Sequence, residues 1–249
     1  MNNDVYKKYL DYLKDYLKDY LKDNNIENVI IGISGGIDSI LTLKILSLVL
    51  DNKNIHPYFI NVEKELSDKF FKSEEYLKSL SIKINLIDIY KEFESLSNKI
   101  EITDKNNLGN LKARLRMNIL YSKAFEKNGI VIGTTNYTEA YLGYFTKHGD
   151  NAVDLQMLSG LLKEDVYNLS SMVNIPDFFI KQAPSADLYL NQTDEKELDV
   201  SYLIIDSFLN NKNIFKDDME KIINIHKKNN HKLFFPISPK VIKNRKKIL

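Results

Sequence analysis

The chain has 249 residues, 43% of them hydrophobic and 28% charged, with a formal net charge of +1. That is enough apolar material for a full core in one large domain or two small ones, and the near-neutral balance argues against a nucleic-acid surface. No cysteine is present, which excludes disulfides, thiolate metal sites and a cysteine nucleophile.

The N-terminal segment "YLDYLKDYLKDYLKD" (Tyr9 to Asp23) repeats nearly every four residues. Tyr12, Tyr16 and Tyr20 form one helical stripe, and Leu13, Leu17 and Leu21 form the next. Pairs such as Asp11–Lys14 stand at i,i+3 and support a helix at about residues 4–23. Its acids and broken apolar content fit neither a signal nor a transit peptide. The tyrosine edge fits packing on its own domain or a subunit interface, and the residues leave both open. No apolar run approaches the roughly 18 residues of a membrane span, so a cytoplasmic protein is expected.

Apolar runs then alternate with helical patterns. Strands are predicted at Val29–Ile33, His56–Val62, Ile82–Ile89 and Gly129–Thr134. Helices are predicted at Asp38–Leu50, Ser67–Leu80 and Leu111–Lys127, with a mostly helical signal from about Asp165. Asn98–Asn110 and Tyr144–Leu158 read as loops. The alternation predicts an α/β fold, doubly wound, with a mainly parallel five-stranded sheet and helices on both faces. No Pro-, Gly- or Ser-rich linker divides residues 1–249, so a single domain is expected.

The first strand runs into "ISGGIDS", Ile33 to Ser39. Gly35 and Gly36 permit close backbone approach, Ser34 and Ser39 add hydroxyls, and a following helix presents free N–H groups to an anion. A lysine usually completes such a loop; here Asp38 stands in it. A carboxylate beside a phosphate needs a divalent cation between them, which points to phosphate plus Mg2+. A tight turn with Asp38 capping the helix accounts for the same residues equally well. Further on, Glu139 offers a second carboxylate, and Thr134 ends the fourth strand, where open α/β sheets bind ligands.

Ser34-Gly35-Gly36-Ile37-Asp38-Ser39 resembles the SGGxDS loop of the N-type ATP pyrophosphatases, which cleave ATP between the α and β phosphates. "GTTNYTEAYLGYFTKHGDNAVDL" (Gly133 to Leu155) is similar to a segment of the ammonia-dependent NAD synthetases. "GNLKARLRM" (Gly109 to Met117), "LLKEDVYNL" (Leu161 to Leu169), "PSADLYLNQTDEKEL" (Pro184 to Leu198) and the His231–Lys232 pair resemble further segments of that family, in order. The resemblance implies an adenine nucleotide alpha hydrolase-like fold. It implies a ligase for the final step of NAD biosynthesis: amidation of deamido-NAD (nicotinic acid adenine dinucleotide) with ammonia, through an adenylated intermediate, releasing AMP and pyrophosphate.

The resemblance also implies residue roles. Gly32, Ile33, Ser34, Gly35, Gly36, Ile37, Asp38 and Ser39 would form the ATP loop, joined at ATP by Thr134, Lys163 and Ser185. Asp38 and Glu139 would hold Mg2+ and, with Lys163, act in catalysis. Arg114, Lys147, Asp154, His231 and Lys232 would contact deamido-NAD. Taken singly, Arg114 and Arg116 also read as solvated helix residues, Asp187 as a loop cap and His231 as an exposed tail residue. His148 and Asn151-Ala152-Val153 depart from the family pattern, and "DLQMLSG" replaces a stretch that usually contains proline. The family is homodimeric. With no cysteine and no room for an amidase domain, free or partner-derived ammonia is the expected nitrogen source. The rival readings are another adenylating pyrophosphatase, such as a tRNA-modifying enzyme, and a nucleotide-binding module without turnover.

Overall fold

The computed structural model describes residues 3–185 and 192–234. Five strands form one sheet: β1 Asn28–Gly32, β2 Ile55–Asn61, β3 Asn85–Asp88, β4 Gly129–Gly133 and β5 Leu155–Gln156. Their order is β3-β2-β1-β4-β5, and every neighbouring pair is parallel. Eleven α-helices stand among the described residues: α1 Asn3–Asp23, α2 Ile37–Ser47, α3 Asp68–Ser79, α4 Tyr90–Lys99, α5 Lys105–Glu126, α6 Tyr137–Leu142, α7 Lys163–Met172, α8 Asp177–Ile180, α9 Asp194–Leu198, α10 Tyr202–Leu209 and α11 Lys216–Asn229.

The period-2 alternation of each strand decides which helices it meets. In β1, Val29 and Ile31 join a core with Leu17 of α1, Leu41 of α2 and Val166 of α7. Ile30 points the other way and packs with Met117 and Leu120 of α5. A third, smaller core gathers Leu142 of α6 with Leu198, Ile205 and Ile222 of α9, α10 and α11. The leucine stripe of α1 is buried, whereas Tyr12 and Tyr16 on its next edge are exposed.

The sheet order reverses direction beside β1. The chain winds outward from β1 to β3, then returns to place β4 on the opposite side. The carboxyl ends of β1 and β4 therefore face a crevice that no crossover covers, the usual ligand position in open α/β sheets.

Two stretches expected as loops hold regular structure. Within Asn98–Asn110, α5 begins at Lys105, because Asp104 caps it by accepting from Asn107 N at 2.8 Å. Within Tyr144–Leu158 lies β5, two residues long, paired to β4 through Ile132↔Leu155 and Gly133↔Gln156. The strand expected over Ile82–Ile89 is shorter, with only Asn85–Asp88 in the ladder.

Candidate active site

The loop after β1 is built by its glycines and closed on itself by its serines. Gly35 adopts φ +78° in close contact with α3: a Cβ there would lie 2.6 Å from Lys69 Cβ. Gly36 is extended and leads directly into α2. Gly36 N donates to Ser34 Oγ at 3.2 Å, and Ser39 Oγ donates to Gly36 O at 2.9 Å. Ser39 is buried, so its hydroxyl stiffens the turn.

Asp38 stands at the second position of α2 and meets two partners from the far half of the chain. Lys163 Nζ donates to Asp38 Oδ2 at 2.6 Å and to Glu139 Oε1 at 3.0 Å. Asn136 Nδ2 donates to Asp38 Oδ1 at 2.9 Å. Asn136 is also the N-cap of α6: its side chain accepts from Glu139 N at 3.0 Å, while Glu139 Oε2 accepts from Asn136 N at 3.3 Å. This reciprocal cap fixes the Glu139 carboxylate as it satisfies the helix end. Lys163 begins α7, and its ammonium lies 5.2 Å from the centre of the Tyr202 ring.

The charge balance favours the paired form. Burial alone would lower the Lys163 pKa, but Asp38 and then Glu139 more than reverse this and hold the ammonium above its ordinary value. Burial pushes Glu139 up to about 7 against the pull of Lys163. The Lys163 side chain is 3% exposed, while those of Asp38 and Glu139 keep 17% and 16%. The two carboxylates thus present more surface to solvent than the lysine does. Hard oxygen donors in this arrangement suit Mg2+, which takes one or two carboxylates and fills its remaining positions with phosphate and water. No cluster of three or more His, Cys, Asp or Glu residues suited to a metal occurs among the described residues. Two carboxylates alone leave most positions of such a cation to oxygens from outside the chain.

A cleft of about 1200 Å³ opens above these groups. Gly32, Ile33, Ser34, Gly36, Ile37 and Asp38 line it from the first loop, with Thr134, Glu139, Lys163, Ser185 and Lys232 from later segments. Gly35 and Ser39 lie behind this lining. The resemblance-derived ATP set is thus largely brought together. The second set divides. Arg114 Nε donates to Lys147 O at 3.3 Å, and Lys147 Nζ donates to His231 O at 3.1 Å. Lys232 Nζ reaches Gly143 O and Phe145 O, joining the same corner. Asp154 is set apart from it. Its Oδ2 accepts from Val131 N at 2.7 Å, and its Oδ1 accepts from Tyr121 OH at 3.3 Å, so the carboxylate extends the β4 edge.

Gln156 folds over the end of β4 and accepts from Thr135 N at 3.1 Å. A Cβ on Gly133 would lie 2.2 Å from Gln156 Oε1, so only glycine leaves room for this contact. Asp187 lies outside the described residues. Sequence reading did not single out Asn136, Tyr202 or Asp206. The Asn-x-x-Glu spacing at Asn136 carries a capping-box signal, whereas nothing local marks the other two.

The NAD synthase family matches residues 9–236. The chain is 37% identical over 241 residues to the NH(3)-dependent NAD(+) synthetase of Mycoplasma genitalium, spanning 95% of this chain and 97% of that one. It is 36% identical over 214 residues to the enzyme of the same name from Thermoplasma volcanium, spanning 84% and 88%. The solved structure of NMN synthetase from Francisella tularensis superposes with a TM-score of 0.89 at 34% identity, covering 95% of this chain and 99% of the other. With the SGGIDS loop, the reversed sheet and the Asp38–Lys163–Glu139 group on one crevice, this chain belongs to the NAD synthase family.

Proposed function

We propose that the protein is an ATP-dependent amidating ligase that converts deamido-NAD to NAD with ammonia. The observation that carries this reading is Lys163 bridging Asp38 and Glu139 at the mouth of the SGGIDS loop. A carboxylate is a poor acyl donor until it becomes a mixed anhydride. The nicotinate oxygen attacks the α-phosphorus of ATP, and the bond to the β-phosphate oxygen breaks. Ammonia then attacks the acyl carbon and loses a proton, and AMP departs with the bonding electrons. Little covalent chemistry falls to the protein, so its work is positioning and charge neutralisation.

The N–H groups around Gly36 and the start of α2 suit the departing pyrophosphate. Asp38 and Glu139 would hold Mg2+, which when bound neutralises phosphate charge. Lys163 is a compact cation within reach of both carboxylates and of phosphate oxygens entering the cleft. Thr134 and Ser185 contribute hydroxyls on the lining. Lys232 stands on the lining while Arg114, Lys147 and His231 stand behind it, a grouping suited to the anionic pyridine nucleotide. With no cysteine among the 249 residues, the thiol chemistry that frees ammonia from glutamine is absent from this chain.

A second reading takes the mononucleotide as substrate. It is favoured by the likeness to an NMN synthetase and by Asp154 lying away from the Arg114–Lys147 corner. One experiment separates the two: deamido-NAD and nicotinate mononucleotide are offered in parallel with ATP, Mg2+ and ammonium, and amide formation is followed by chromatography. Faster turnover of deamido-NAD supports the first reading, and faster turnover of the mononucleotide the second. No amide from either, with folded protein, removes both.

A homodimer is part of this reading. The exposed Tyr12 and Tyr16 of α1 offer an aromatic edge of the kind found at interfaces. Sedimentation as a monomer at assay concentrations would defeat it. No helix among the described residues is long and apolar enough to cross a membrane.

A further inference from the structure

Helix α7 caps itself only in part: Asp165 Oδ2 accepts from Leu162 N at 3.0 Å. Its N-cap is Leu162, whose side chain has no acceptor, yet its first residue is Lys163. The opening N–H groups of a helix need partners, and burial makes the need acute. Here the partners of Lys163 N and Glu164 N come from two other helices. Lys163 N donates to Thr138 Oγ1 of α6 at 3.0 Å. The same hydroxyl donates to Asp206 Oδ1 of α10 at 2.5 Å, and Glu164 N donates to Asp206 Oδ2 at 2.8 Å. Thr138 is fully buried, and Asp206 is 1% exposed.

Two features make this more than helix stabilisation. Thr138 immediately precedes Glu139, so one hydroxyl ties the Lys163 backbone to the residue whose carboxylate the Lys163 ammonium must meet. Asp206 also stands four residues after Tyr202 on α10, on the same helical face. Tyr202 lies under the ammonium, and Asp206 holds the backbone end. Helix α10 therefore grips Lys163 at both ends.

We infer that Asp206, acting through Thr138, is a positioning residue that sets Lys163 in register with Asp38 and Glu139. The inference rests on the amidation reading for its kinetic consequence. Its geometric content, a cap supplied to α7 from α6 and α10, stands separately. A carboxylate is well matched to two donors at once, and its charge also faces the positive end of α7. Loss of either partner lets the first turn of α7 shift, and a shift of about 1 Å at Lys163 suffices to spoil the alignment.

The test uses the full chain with Asp206→Ala, Thr138→Val and Thr138→Ser, alone and in a Lys163→Ala background. Turnover with saturating ammonium is expected to fall by about 10- to 100-fold in Asp206→Ala and Thr138→Val, with KM for ATP changing by less than about threefold. Thr138→Ser, which keeps the hydroxyl, rescues most of the rate. In the Lys163→Ala background the same substitutions add less than about twofold, because the group they position is gone. A full additional loss in that background overturns the inference, as does unchanged turnover in a variant whose melting temperature falls. Amide hydrogen exchange reads the geometry independently of turnover. Lys163 and Glu164 N–H should be protected in the unmodified chain and in Thr138→Ser, with Lys163 N–H exposed in Thr138→Val and Glu164 N–H exposed in Asp206→Ala. Fast exchange in the unmodified chain overturns the cap, whereas absent turnover with protected amides overturns the amidation reading alone.

Discussion

Lys163 and Asp38 stand 125 positions apart, yet the ammonium of one donates to the carboxylate of the other at 2.6 Å. That contact closes α7 onto α2 across the reversal of the sheet, and Glu139 completes it from α6. Removing the ammonium by Lys163→Ala leaves two largely buried carboxylates without their cation. The cost to folding is expected at about 3 kcal/mol, read by denaturant unfolding. Asp38→Asn and Glu139→Gln each leave Lys163 one charged partner and should cost less stability. Turnover should still fall by about 100-fold or more in each, measured at saturating substrate. Unchanged rates would remove both carboxylates from the chemistry.

Asn136 serves two masters, the cap of α6 and Asp38, and a pair of substitutions separates them. Serine caps helices about as well as asparagine, so Asn136→Ser should keep most of the stability while losing the bond to Asp38. Asn136→Ala should lose both, at about 1–2 kcal/mol of stability, with turnover reduced in each variant. Equal melting temperatures for the two variants would contradict the capping role.

Gly35→Ala tests the loop itself. A left-handed backbone and a Cβ pressed on Lys69 both oppose the substitution. A loss of about 1–3 kcal/mol is expected, together with weaker ATP binding by calorimetry.

One pH effect lies away from the cleft. His56 of β2 places Nε2 3.0 Å from Asn28 Oδ1, and burial, then Lys127, lowers its pKa below 6.5. The folded chain therefore binds this proton less readily than the unfolded chain. The stability tied to the neutral ring is present above pH 6.5 and falls as pH drops through that value toward the folded pKa. The ring is partly exposed, so the effect is small. Thermal unfolding at pH 7.5 and at pH 5.5 should show a smaller difference in His56→Gln than in the unmodified chain.

The legible parts of the molecule are those where local pattern and tertiary role agree. The β1–loop–α2 unit reads from an apolar run, two glycines and a helical period, and the structure uses all three. β5 does not read, because two residues cannot show alternation and the segment pairs partly through the Asp154 side chain. The start of α5 was obscured by its asparagines, whose polarity resembles a loop although Asp104 caps a helix there. Asp38, Glu139 and Lys163 form a set only through the family resemblance, and their mutual contact depends on strand order, which local sequence does not encode. Asp206 carries no motif of its own; only the packing of α10 on α6 and α7 gives it partners.

On the proposed reading, ATP is cleaved between the α and β phosphates in step with amide formation. The most direct test of this reading is the product ratio in a single assay with deamido-NAD, ATP, Mg2+ and ammonium, with glutamine replacing ammonium in a second arm. Expected are AMP, pyrophosphate and NAD in equal amounts with ammonium, and with glutamine no NAD, no sustained release of AMP, and at most about one pyrophosphate per site. ADP and inorganic phosphate in place of AMP and pyrophosphate, or pyrophosphate release indifferent to deamido-NAD, would contradict it.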